Sequence, residues 1–484
     1  MLHISEQEIL KRLKFDNPWW DELGCVDQYL LDMPRRSYFV PFYELVVDKT
    51  LRRATILMGP RRVGKTVMVY HAIHELLQTA INGTHIFYIS LETPVYTGKS
   101  LEQLLNIFLE HYGHSRQQDI YIFFDEIQYL KDWEIHLKSL VDSFPNYKFV
   151  ATGSAAAALR LKSQESGAGR FSNFILPPLT FYEYLHFSQK EHLITDVNKT
   201  YVYKATNISE LNKEFINYLN YGGYPEAIFS ERIRKESSQF IKSDIIDKVL
   251  LRDLPSLYGI QDIQELNRLF TTVAYNTGNE ISLESLASSS GVAKNTLKRY
   301  LEYLEAAFLI KRVHRIDQTA KRFKRATMFK VYLTNPSMRS ALFGNIDADS
   351  EAMGALTETA IYAQWLHSAH IENLYYARWD KGEVDIVYVD TISQKPEWVV
   401  EVKWSDLPYD DKRKIESLLH FVHLNPSIGY TRVTTKEIDG QKTINDTVIH
   451  YMPSSVYAYT LGANILSGEL KQRIPSLLRD ISTP

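Results

Sequence analysis

Gly59-Pro60-Arg61-Arg62-Val63-Gly64-Lys65-Thr66 follows the apolar run Thr55-Ile56-Leu57-Met58 and precedes a stretch of helical periodicity. Strand, G-x4-G-K-T, helix is the phosphate-loop pattern in the setting its chemistry needs. Glycines let the backbone wrap an anion closely, and loop and helix N–H groups point at it. Gly59, Pro60, Arg61, Arg62, Val63 and Gly64 are the expected cradle of ATP. Lys65 is expected to reach the β- and γ-phosphates, and the Thr66 hydroxyl to bind Mg²⁺.

Working outward, apolar runs at 55–58, 85–90, 120–124 and 148–154 alternate with helical stretches. Near-continuous apolar strands separated by helices predict a parallel sheet covered on both faces. The run Ile120-Tyr121-Ile122-Phe123-Phe124 ends in Asp125-Glu126. Asp125 is the expected holder of the Mg²⁺ shell, and Glu126 the expected general base that polarises the attacking water. The sixty positions from Lys65 to Asp125 leave room for another β-α unit, so an added strand is expected between the two motifs. The strand 148–154 ends in Thr152-Gly153-Ser154, a polar end expected beside Asp125, with Ser154 sensing the γ-phosphate. Arg170 sits in the glycine-flanked Ser166-Gly167-Ala168-Gly169-Arg170-Phe171. It is a candidate for stabilising transition-state charge in cis or across a subunit interface, a role for which Arg61 and Arg62 compete.

Two further patterns lie downstream. Residues 280–315 read as helix, Gly turn, helix, with Leu297, Leu301, Leu304 and Phe308 on one face of the second helix. Its other face carries Lys294, Asn295, Lys298 and Arg299. Between Lys311 and Lys330 stand eight basic residues, Lys321, Arg322, Lys324 and Arg325 among them, against the single acid Asp317. A winged helix whose basic face contacts nucleic-acid phosphates is the expectation, a protein-interaction module the alternative. Further on, Asp385 and Glu401-x-Lys403 match a D…ExK arrangement. Residues i and i+2 of a strand share a face, so Glu401 and Lys403 are expected to face Asp385 on the neighbouring strand. Asp385 and Glu401, with Glu358 from an upstream helix, are expected to bind a metal, and Lys403 to activate water. The alternative is an ion pair at a sheet edge.

The ordered set NPWW (17–20), GPRRVGKT, FFDEIQ (123–128), GSA (153–155), GAGRF (167–171), PLTFYEYL (178–185) and YGGYPE (221–226) resembles the AAA-superfamily ATPases of bacteria and archaea. Those carry a C-terminal domain of uncharacterised function related to PD-(D/E)xK nucleases. The resemblance covers most of the chain and implies an AAA-like core with a helical lid, and oligomerisation.

Composition bounds the rest. At 484 residues, 45% hydrophobic and 23% charged, the chain has the profile of a globular protein of about three domains. A net charge of -3 gives no global sign of nucleic-acid binding, so any basic surface is local. Cys25 is the single cysteine, which rules out an intrachain disulfide. No apolar run spans a bilayer, the charged start MLHISEQEILKRLKF does not suit a secretory signal, and a cytoplasmic location is expected. The histidines show no metal spacing.

The fold expected is α/β: a P-loop ATPase parallel sheet with a helical lid, a winged-helix domain and a C-terminal restriction-endonuclease-like domain. Boundaries fall at 1–35 for an N-terminal helical segment, 36–180 for the ATPase core, 181–262 for the lid, 263–345 for the winged helix and 346–484 for the nuclease-like domain. The function expected is that of a homo-oligomeric ATPase whose cycle moves or regulates a nucleic-acid-binding half. The alternative is a nucleotide-controlled switch, or a scaffold with an inactive nuclease-like domain.

Overall fold

A computed structural model describes residues 4–21, 25–79, 81–153, 169–197, 202–323 and 327–467. The chain divides into two compact units, Met1–Pro177 and Pro178–Pro484.

The first unit is built on five strands: β1 (Ala54–Met58), β2 (Ile86–Ser90), β3 (Ile120–Asp125), β4 (Tyr147–Gly153) and β5 (Phe171–Ile175). They form one all-parallel sheet in the order β2-β3-β4-β1-β5. Every residue of β1, β3 and β4 is buried, as an interior parallel strand requires. The β-α unit expected between Lys65 and Asp125 is β2 with the helix Leu101–Tyr112, and within the sheet β4 lies between β1 and β3. The edge strand β5 was not among the expected strands. Its sequence Phe-Ser-Asn-Phe-Ile alternates and is only partly buried.

The helix Lys65–Gln78 packs Met68, Val69, Ala72, Ile73 and Leu76 inward, and Leu101–Tyr112 packs Leu104, Leu105 and Phe108. A capping box of Ser100 and Gln103 starts the latter, and Gly113 in the left-handed region ends it.

The first residues, expected as a separate segment ending at 35, belong to this unit. Asn17 donates to the Tyr88 carbonyl at 2.8 Å and accepts from its N–H at 2.7 Å. Its side chain thus supplies what a neighbouring strand would supply to the edge strand β2. Both Trp19 and Trp20 donate their indole N–H to the Ile86 carbonyl, at 3.1 and 2.8 Å.

The second unit contains a small hairpin, β6 (Ile194–Asp196) with β7 (Tyr203–Ala205), inside the stretch expected to be a helical lid. Its main sheet has nine strands: β8 (Glu280–Ser282), β9 (Ile310–Ile316), β10 (Met328–Leu333), β11 (Leu374–Trp379), β12 (Gly382–Val389), β13 (Pro396–Glu401), β14 (Tyr430–Thr435), β15 (Gly440–Ile444) and β16 (Thr447–Pro453). The order is β15-β16-β14-β13-β12-β11-β9-β10-β8. The stretches expected as lid, winged helix and nuclease-like domain, 181–262, 263–345 and 346–484, fall in this one unit. The physical reason is sheet continuity: β9 pairs in parallel with β11 through Arg315–Tyr376 and Ile316–Ala377, across the expected boundary at 345.

The helices Leu283–Ser290 and Lys294–Ala306 stand where the helix-turn-helix pattern put them, with Gly291 left-handed at the turn. The antiparallel pair β9–β10 follows, with β8 on the far side of β10. One sheet face packs on Met353–Trp365, Ser454–Leu466 and Ile208–Tyr221, the other on Glu416–Leu424.

Candidate nucleotide site and the acid–lysine cluster

The phosphate loop leaves the carboxyl end of β1 and enters the helix Lys65–Gln78. Gly59 is required by close approach, because a Cβ there would stand 2.2 Å from the Leu176 carbonyl oxygen. Gly64 has φ 95°, a left-handed conformation at the helix cap that favours glycine. The Lys65 ammonium donates to the Gly59 and Pro60 carbonyls at 3.1 and 2.7 Å. Arg36, which sequence reasoning missed, is buried and holds the loop from behind. Its guanidinium donates to Val63 O at 2.7 Å and to Pro177 O at 3.0 Å. No local pattern marks it, since its partners are backbone carbonyls distant in sequence.

Asp125 ends β3 beside this loop. Thr66 Oγ1 donates to Asp125 Oδ2 at 3.0 Å and Tyr88 OH to the same oxygen at 3.1 Å. Thr152 Oγ1 donates to Asp125 Oδ1 and accepts from the Glu126 N–H at 3.1 Å. The parallel register, Phe124 beside Ala151, sets Thr152 next to Asp125. Burial raises the Asp125 carboxyl above its ordinary value and the Glu126 charge adds to this, while the three hydroxyls pull the other way. Glu126 is half-buried with φ 53°, uncommon for a non-glycine residue, and Gln128 Nε2 donates to its carboxylate.

The arrangement suits a triphosphate with Mg²⁺. The loop and the helix N-terminus could receive phosphate. Thr66 and Asp125 present hard oxygens of the kind a divalent cation takes, and its charge would relieve the burial penalty on Asp125.

Two other expected residues fall elsewhere. Ser154 lies outside the described residues, and Thr152 is the polar strand-end residue the structure brings to Asp125. Arg170 is not brought to the loop of its own chain. It lies in the turn just before β5, where its carbonyl accepts from Ala54 N–H at 2.9 Å and its side chain pairs with Asp142 at 2.5 Å. Since β5 runs parallel to β1, that is the end of the sheet opposite the phosphate loop, about 20 Å away at ~3.3 Å per residue.

In the second unit the structure brings Glu358, Asp385, Glu401 and Lys403 together and adds Lys330, Glu383 and Tyr332. Lys403 Nζ lies 2.7 Å from Glu401 and 3.6 Å from Asp385. Asp385 Oδ2 accepts from Val402 N–H at 2.9 Å. Lys330 from β10 pairs with Glu358 at 2.7 Å, Glu383 at 2.5 Å and Asp385 at 3.3 Å. Tyr332 OH donates to Glu358 at 2.5 Å.

Burial opposes the charge of Asp385, and Lys403 and Lys330 outweigh it, holding that carboxyl below its usual value. Burial and the Asp385 charge push Glu358 up to about 7, against the pull of Lys330, and Glu401 up to about 8. Burial opposes the Lys330 charge as well, and the surrounding carboxylates hold its ammonium well above the ordinary range. Glu401 Oε2 is buried without a hydrogen-bond partner among the described residues.

The metal expected at Glu358, Asp385 and Glu401 does not fit this arrangement. Among the described residues no group of three or more ligating side chains is set to hold a metal ion. The carboxylates were expected to gather around a metal. They instead surround two lysine ammonium groups, one of them from a strand outside the pattern.

The basic stretch is displayed only in part. Lys330 is buried rather than displayed. Lys311 pairs with Glu372 at 2.6 Å, Arg312 with Glu305 at 2.5 Å and Arg315 with Glu280 at 3.5 Å. These acids lie outside the stretch 311–330, Glu280 and Glu305 before it and Glu372 after it. Lys294 pairs with Glu284 at 2.9 Å, while Lys298, Arg299, Lys321 and Arg322 are exposed. Lys324 and Arg325 lie outside the described residues.

Fold, loop and strand-end acid define a P-loop ATPase domain of the AAA type. Residues 51–185 match the family described as AAA domain, and residues 212–349 match a domain of unknown function, DUF8612. The chain is 26% identical over 382 residues to an uncharacterized protein of Haemophilus influenzae, covering 78% of this chain and 88% of that one. It is 25% identical over 347 residues to an uncharacterized protein of Methanocaldococcus jannaschii, covering 69% and 71%. Among solved structures it is similar to a DNA replication initiation factor, with 15% identity, 58% and 79% coverage and a TM-score of 0.27. The replication initiator DnaA bound to AMPPCP and single-stranded DNA gives 14% identity, 59% and 93% coverage and a TM-score of 0.26. Among the described residues no helix is long and apolar enough to cross a membrane.

Proposed function

We propose that the chain hydrolyses ATP with Mg²⁺ and uses the cycle to control nucleic-acid binding by its second unit. The observation that carries the ATPase reading is the meeting of Thr66, Thr152 and Glu126 around the buried Asp125. Lys65 and the loop N–H groups bind the β- and γ-phosphates. Thr66 and Asp125 hold the Mg²⁺, whose charge stabilises the phosphates. Glu126, oriented by Gln128, takes the proton of the attacking water. Thr152 reports the state of this centre to β4. Arg170, remote from its own loop, serves a neighbouring copy in a homo-oligomer.

Nucleic-acid contact rests on the exposed Lys298 and Arg299 of the second helix of the pair and on Lys321 and Arg322 beyond β9, in a winged-helix arrangement. The D…ExK residues favour the scaffold reading of this unit over cleavage, because Lys330 sits among the carboxylates that a metal would use.

The test is the ATPase rate of the full chain with Mg²⁺ or EDTA, with and without single-stranded, duplex and branched DNA. Mg²⁺-dependent turnover that DNA changes supports the reading. Turnover absent under all conditions overturns the ATPase part, and turnover indifferent to every DNA form overturns the coupling.

A further inference from the structure

Lys330 is the member of the acid–lysine cluster that its sequence pattern does not contain. It comes from β10, which pairs with β9 and β8 and so closes the segment that carries the two short helices. Its side chain is buried, and its ammonium group is shared by Glu358, Glu383 and Asp385. Tyr332, two residues along the same strand and on the same face, donates to Glu358 as well. One strand therefore grips the helix Met353–Trp365 and the β12 acids at once.

A divalent cation at Asp385 needs carboxylate oxygens drawn in to about 2.0–2.6 Å. Here the oxygens are arranged around an N–H donor, at ion-pair distances. A divalent ion placed among them would also face the Lys330 charge at close range in a low-dielectric site. The ammonium group and the metal compete for the same seat.

We propose that Lys330 is the resident counter-cation of this cluster and keeps it free of divalent metal. The residue that anchors β10 is then the residue that closes the cluster. The proposal does not depend on ATP hydrolysis in the first unit.

The test counts Mn²⁺ bound to the full chain by electron paramagnetic resonance, without nucleotide, in four proteins: the natural chain, Asp385→Asn, Lys330→Met, and Lys330→Met with Asp385→Asn. The natural chain is expected to show no Mn²⁺ that Asp385→Asn removes. Lys330→Met is expected to gain a bound Mn²⁺, and the double variant to lose it. Natural-chain Mn²⁺ that depends on Asp385 overturns the proposal. So does a folded Lys330→Met protein that gains none, or one whose gain survives Asp385→Asn. If Lys330→Met does not fold, refolding on addition of Mn²⁺ supports the proposal, and failure to refold overturns it. ATPase rates measured alongside report on the nucleotide site separately.

Discussion

Thr152 and Asp125 share a hydrogen bond between the ends of two adjacent parallel strands, and the same hydroxyl accepts the N–H of Glu126. The carboxylate proposed to hold Mg²⁺ and the backbone of the residue proposed to activate water are thus linked through one oxygen atom. Thr152→Val should leave Asp125 short of a donor and the Glu126 N–H short of an acceptor. A loss of about 1–3 kcal/mol in stability is expected, the cost of unpaired buried groups. Urea denaturation with and without Mg-ATP checks this, and the nucleotide should recover part of the loss.

Glu126→Gln keeps the shape of the side chain and removes the base. Nucleotide binding should persist while turnover falls by roughly 10²-fold or more. Equilibrium binding of a fluorescent ATP analogue beside phosphate release measures both, and unchanged turnover would remove Glu126 from the mechanism. Lys65→Ala should weaken the binding itself.

Arg170→Ala should barely alter stability, because the ion pair it loses with Asp142 is partly exposed on both sides and such pairs contribute about 0–1 kcal/mol. Its effect on turnover should depend on association between copies. Mixing Arg170→Ala with Glu126→Gln should restore part of the rate. A fully active monomer, shown by sedimentation, would end the role across an interface.

The four exposed cations differ from those paired with acids. Replacing Lys298, Arg299, Lys321 and Arg322 with serine should weaken duplex binding and flatten the slope of log affinity against log salt by about 0.9 for each phosphate no longer neutralised. Replacing Lys311 or Arg312 should change the slope little, since Glu372 and Glu305 already hold them. Equal slopes in all variants would locate nucleic-acid binding elsewhere.

Glu358 and Glu401 make stability depend on pH with a definite sign. Both carboxyls are raised in the folded protein, to about 7 and about 8, from an ordinary 4.5. The folded state therefore keeps protons that the unfolded state releases, and stability falls as pH rises from about 4.5 towards 8. Chemical denaturation at acidic and mildly alkaline pH should show a smaller fall in Glu358→Gln and Glu401→Gln than in the natural chain.

The nucleotide-site elements were legible because each has a local signature. The glycines and the lysine share one eight-residue loop, the acids end an apolar run, and interior parallel strands read as apolar runs. What escaped reading depends on distant partners. Arg36 reaches carbonyls at positions 63 and 177. The strand β5 is an edge with a weak pattern, so the sequence reading passed from Arg170 to the next apolar run without it. Lys330 read as one cation in a basic run, because the acids that surround it come from Glu358 onward. The D…ExK spacing did identify side chains that meet. It did not reveal that a lysine from another strand joins them.

The pairing of Asn17 with both backbone groups of Tyr88 has a consequence for the protein at high concentration. An open strand edge is a template on which a second molecule can lay its own strand. With Asn17 on the Tyr88 backbone and both indoles on Ile86, that template is occupied from within. Loosening the first twenty residues would uncover it, so proteolytic trimming there should convert a well-behaved protein into one that self-associates through β2.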